Sequence, residues 1–102
     1  MESHASISPD VLARYAADAA LEIDGVHAVV ESHMPRHRPA RIAVGADGRV
    51  SVELHLVLEW GASFGPVGLE VQSRVGEYLA RMADLEPARV DVVVDEVGPV
   101  HA

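Results

Sequence analysis

The chain has no cysteine, which excludes disulfide frameworks, thiol catalysis and cysteine-ligated metal clusters. It has no lysine, so every basic residue is arginine. Aromatic residues amount to 4% against 49% hydrophobic residues in all, so the core must be assembled from Val, Leu, Ile and Ala. No apolar run approaches the ~18–20 residues needed to span a bilayer, so direct membrane insertion is not expected. The opening Met1-Glu2-Ser3-His4 lacks a basic segment followed by an apolar one, so no signal peptide is expected and a cytoplasmic location fits. Any membrane association would then run through a partner.

Against these absences stands a chain of 102 residues, read as a single domain over 1–102 and large enough to bury a core without staples. Its net charge is −8, from 16 acidic and 8 basic residues. A phosphate backbone repels such a chain unless its positive charge is concentrated. Arg36, Arg38 and Arg41 sit close in sequence, with His33 and His37 beside them. The plain reading is a solvated basic loop; the sharper one is a contact for a small anion or a partner.

Ser8 is a good helix N-cap, Pro9 suits the first helical position and Asp10 complements the helix dipole. Leu12, Tyr15, Ala16, Ala19, Ala20 and Ile23 recur at three- and four-residue spacing, with Arg14, Asp18 and Glu22 opposite. Gly25 supplies a left-handed stop. Val26, Ala28 and Val30 alternate with His27 and Val29 as a short strand, and the stretch 32–40, with Pro35 and Pro39, cannot continue it.

A hairpin follows: a strand over 41–44, a turn at Gly45-Ala46-Asp47-Gly48, and a long strand over 49–60. On the long strand Val50, Val52, Leu54, Leu56, Leu58 and Trp60 share one face. Ser51, Glu53, His55, Val57 and Glu59 share the other, as in a sheet covered on one side only. A second helix follows Pro66, with Val67, Val71, Val75, Tyr78, Leu79 and Met82 as its stripe, and i,i+4 pairing is open to Glu70/Arg74 and Glu77/Arg81. Glu86-Pro87 ends it, and a last strand runs over 90–97 to Gly98-Pro99.

The order is helix, strand, hairpin, helix, strand. A strand–helix–strand unit makes a right-handed parallel crossover. The expected fold is therefore α+β: a two-layer sandwich with both helices on one face of a mixed sheet and the other face open. That open face would carry Glu53, His55, Val57, Glu59, Asp91, Val93, Asp95 and Val97, and is a candidate interaction face. Apolar side chains ringed by carboxylates are where a partner or a second copy gains burial.

The segments ISPDVL, AALEIDGV, VSVELHLVLEWG, VGLEVQSRV and VDVVVDEV, spread from Ile7 to Val97, together resemble the alkaline shock protein family of bacterial envelope stress response proteins. Each segment is structural, a cap, a glycine stop or a Val-rich strand. The resemblance lies in their ensemble. It implies a non-enzymatic, cytoplasmic, self-associating module linked to cell-envelope homeostasis, reaching the membrane by binding a membrane-anchored protein. It carries over no catalytic residues and no cofactor. The Arg/His/Pro loop stands where family members often have a Gly-rich segment, which bears on partner choice.

Three other chemistries are weaker. His33 and His37 have an H-x3-H spacing with Glu31 near, but Pro35 breaks the helix that would align them, and Arg36 and Arg38 oppose a cation. Gly65-Pro66-Val67-Gly68 matches the GxxG of KH-type nucleic-acid-binding domains, the main alternative reading; it lies between strand and helix, with Glu70 following and the nearest arginine only at Arg74. The strand carboxylates with His55 could serve a small enzyme by acid–base chemistry, but no pocket is implied for them.

Overall fold

The computed structural model describes residues 8–31 and 37–97, apart from the Glu96 side chain. Ser8, Pro9 and Asp10 act as their chemistry suggests. Ser8 is extended and its Oγ accepts from the Val11 amide at 3.2 Å, which starts helix α1, Pro9–Leu21. Gly25 comes after it in a left-handed conformation, φ 99°, and a β-carbon there would stand 3.0 Å from Val67 Cγ2. Glycine is required at this position both for the turn and for the approach of the second helix.

Among the described residues four strands make one mixed sheet: β1 (Val26–Val29), β2 (Arg41–Val44), β3 (Val50–Leu58) and β4 (Arg89–Val97). β3 is central. β2 pairs antiparallel with its first half and β1 antiparallel with its second half, while β4 runs parallel along its other side. The β3–β4 crossover is helix α2, Phe64–Ala83. It ends at Asp84 in the left-handed region, φ 52°, with the Leu85 amide donating back to the Leu79 carbonyl.

Val52, Leu54, Leu56 and Leu58 of β3 are at most 1% exposed and join the buried residues of both helices in one core. From α1 come Leu12, Ala13, Ala16, Ala19 and Ala20, and from α2 Val67, Val71, Val75, Leu79 and Ala83. Small alanines on α1 let the two helices sit close over the sheet. Tyr15 and Tyr78 meet edge to face between them at 5.8 Å, and Arg74 of α2 reaches Glu22 at the end of α1 at 2.6 Å. Arg74 thus links the two helices, instead of serving an intrahelical pair with Glu70. Arg81 lies 5.5 Å over the Tyr78 ring.

Several sequence expectations shift. Trp60 does not join the buried row. β3 stops at Leu58, the chain turns through Gly61 at φ 89°, and Trp60 is 68% exposed. Met82 is 45% exposed, and Ala83 takes the core position at the end of α2. The pairing of β1 slips at His27, so Val26 and Val29 face Leu58 and Leu56 while Ala28 faces Val57. The simple alternation of Val26, Ala28 and Val30 is thereby broken. Pro66 lies within the first turn of α2, which begins earlier, at Phe64. Gly98 and Pro99 lie outside the described residues.

Leu56→Ala should destabilise the domain by about 2–5 kcal/mol, the range for a fully buried leucine. Ser51→Ala, half-buried on the opposite parity, should change stability little. Urea melts of the two variants check this; equal small losses would show that the Leu56 side is not the core.

Candidate open sheet face

On the face of β3 away from the helices, Glu53, His55 and Val57 occupy alternate positions. Register sets Asp91 of β4 beside Glu53 and Val93 beside His55. Past that point β4 carries a bulge: Leu56 pairs with Val94 but Val57 with Glu96, leaving Asp95 as the extra residue. The bulge re-aims Asp95 so that its Oδ1 lies 2.8 Å from His55 Nδ1. The other ring nitrogen, Nε2, lies 2.6 Å from Glu53 Oε2.

A neutral imidazole has one N–H and cannot donate to two carboxylates. Both short contacts are satisfied together when the ring is an imidazolium. Burial of the ring works against that charge, but the hydrogen bonds to Glu53 and Asp95, with the charges of the same two groups, outweigh it. The His55 pKa is raised above its ordinary 6.5. Beyond this triad, Arg41 Nε stands 3.9 Å from Glu53 Oε1, and Arg89 Nε donates to Asp91 Oδ1 at 2.9 Å. Each of the three carboxylates Glu53, Asp91 and Asp95 therefore has a cation on the same face. The face is a lattice of paired charges, where the sequence suggested bare acid.

The remaining face residues fall differently. Val93 is exposed at 39%, in the middle of this lattice. Val57 is on the face yet buried, flanked by Ala28 and residue 96 on its two neighbouring strands. Val97 pairs with Leu58, so the bulge hands it the parity of the helix-covered side; the strict alternation that places it on the open face is corrected by one inserted residue. Glu59 lies just beyond β3, exposed, with its amide donating to the Gly25 carbonyl at 2.8 Å.

The basic loop does not assemble as one cluster. Arg41 is the first residue of β2 and stands opposite Glu53. Arg38 lies against Asp10 at the start of α1, its Nε 2.5 Å from Oδ1, close enough for an ion pair but poorly aligned as a hydrogen bond. Arg36 and His33 lie outside the described residues, and His37 takes a left-handed φ of 57°. Among the described residues no three His, Asp or Glu side chains converge as metal ligands. Gly65 to Gly68 is helical, the opening of α2, with Val67 buried beneath it, and does not form the exposed loop a KH-type grip requires.

These features define a class: a small α+β domain with two helices over one side of a mixed sheet and a charge-paired open side, in which no helix among the described residues is long and apolar enough to cross a membrane. The particular family emerges from comparison. Residues 1–99 match the alkaline shock protein 23 family, of cell envelope-related function, and the chain belongs to it. No curated protein and no solved structure matches the chain.

The His55 pair of contacts makes stability depend on pH with a definite sign. A raised folded pKa means the folded state holds the proton more tightly than the unfolded chain. The stabilisation is fully present below about pH 6.5, the unfolded value, and is lost as pH rises through the folded pKa. His55→Gln should lose this dependence. Urea melts of both proteins from mildly acidic to alkaline pH should therefore converge toward the alkaline end, and the His55 ring resonances should titrate above the ordinary value. A ring titrating below it would refute the bridging geometry.

Proposed function

We propose that this domain is a non-enzymatic interaction module of the cell envelope, which associates with itself through the open sheet face and reaches the membrane through a membrane-anchored protein. The observation that carries the reading is Val93. It stands 39% exposed at the centre of a sheet face that no helix among the described residues covers, ringed by charges already paired with one another. Pairing lowers the repulsion that bare carboxylates would set up between two such faces. Val93 then supplies apolar area worth about 25 cal/mol per Å2 when covered. The family's envelope-related function agrees with a role near the membrane, and the absence of a spanning helix among the described residues agrees with an anchor supplied by another chain.

Sedimentation across protein concentration tests this. Association should strengthen with moderate salt, because the net charge of −8 opposes assembly until screened. It should weaken in Val93→Asp. It should also weaken as pH rises and His55 loses its proton, since the face then gains uncompensated negative charge. A monomer at high micromolar concentration, unchanged by salt, would remove self-association from the reading.

The family and the charge also argue against a nucleic-acid role. Single-stranded RNA should not bind with a submicromolar Kd at about 150 mM salt. Filter binding or fluorescence anisotropy with labelled oligonucleotides checks this, and tight binding at that salt would favour the KH-type alternative.

A further inference from the structure

We propose that the groove between α2 and the outer edge of β4 receives an extended apolar segment of a partner protein, bearing arginine or lysine, which adds to the sheet as a further strand. This rests on reading the domain as an interaction module, but not on its self-association, which uses the open face.

β4 pairs only with β3 among the described residues, so a nine-residue strand is left with one side unpaired. Folded proteins ordinarily blunt or cover so long an edge. Here the Val90 carbonyl is answered by a side chain, Gln72 Nε2 of α2, at 2.9 Å. Gln72 is also the shared wall of two adjoining cavities of about 690 and 430 Å³ that run along the helix and the strand edge. The apolar lining of the smaller one includes Phe64 and Leu69, exposed at 52% and 68%, with Val92 and Val94 half-buried opposite. Large apolar residues beside an unpaired strand edge meet the two requirements of recognition by strand addition: backbone hydrogen bonds and side-chain pockets.

Helix α2 is shaped to the same purpose. Gly65 and Gly68 line the smaller cavity and Gly76 the larger, and a β-carbon at any of them would meet nothing within 4 Å among the described residues. Glycine is unfavourable inside a helix, and no internal contact requires it at these positions. Their lack of a side chain keeps the groove open to another backbone.

Charge selects the occupant. The rim carries three carboxylates, Glu77, Glu86 and Asp91, against one arginine, Arg89, and that arginine is held by Asp91 at 2.9 Å; among the described residues Glu77 and Glu86 form no ion pair. A basic segment is attracted there and an acidic one repelled. A second copy of β4 is a poor occupant, because its one arginine, Arg89, is already held by its own Asp91 and it offers the rim no further arginine or lysine. Cytoplasmic segments flanking membrane spans are enriched in Arg and Lys, which suits a membrane-anchored partner.

The test uses the whole chain, isotope-labelled, and three capped peptides of alternating sequence: Val with Lys, Val with Glu, and the Val–Lys peptide N-methylated along one edge. The Val–Lys peptide should give saturable amide shifts confined to β4 and to the Phe64–Ala80 side of α2. The Val–Glu and N-methylated peptides should bind at least about tenfold more weakly, a difference of roughly 1.4 kcal/mol. Gly76→Phe, which fills the groove where space is free, should weaken the Val–Lys peptide similarly while leaving the melt cooperative. Shifts centred on Glu53 and His55, equal binding of the N-methylated peptide, or no saturable binding would overturn the proposal. Sedimentation of the same samples separates the two readings: peptide binding by a monomer retains the groove and removes self-association, and oligomers without peptide binding do the reverse.

Discussion

Every other element leans on the row Val52, Leu54, Leu56 and Leu58. β3 is paired on both sides and covered above, so its inward side chains are removed from water more completely than any others in the sheet. A fully buried Val or Leu contributes about 1.5–3 kcal/mol relative to exposure. The row fixes the height of both helices over the sheet, and through them the left-handed turn at Gly25, where Val67 of α2 comes too close for a side chain. It also fixes the outward face, because period two leaves Glu53, His55 and Val57 no other direction.

That dependence explains how much can be read from the sequence. The helix start at Ser8-Pro9-Asp10, the stripe of α1 and the buried row of β3 are local patterns, and local patterns are legible. The two bulges are not. One inserted residue at His27 and one at Asp95 each reverse the parity of the strand beyond them, and neither carries a glycine or proline to announce it. Unbroken alternation puts Val97 on the open side for this reason. Alternation likewise carries Trp60 into the core, whereas the strand ends two residues earlier and the chain turns away.

The face itself is legible as a set of residues and not as a set of bonds. Alternation brings Glu53 and His55 together, but the contact from His55 to Asp95 joins residues forty apart and depends on the bulge. No local pattern signals that one protonated ring serves two carboxylates. The edge groove is hidden for a different reason. Periodicity reports which side of a strand is buried; it does not report which strand lies outermost, and the glycines of α2 look like weak helix positions until their surroundings are seen.

The exposed tryptophan has a consequence for how the domain can be watched. It is the chain's one indole, and at 68% exposure its surroundings change little when the core is lost. Its emission therefore reports on what touches the turn after β3 and is nearly blind to unfolding. The interior's optical signature belongs to Tyr15 and Tyr78, whose edge-to-face contact exists only while α1 and α2 lie together. In this protein near-ultraviolet tyrosine dichroism tracks the fold, and tryptophan fluorescence tracks the surface, so the two signals separate events that in most small domains are seen as one.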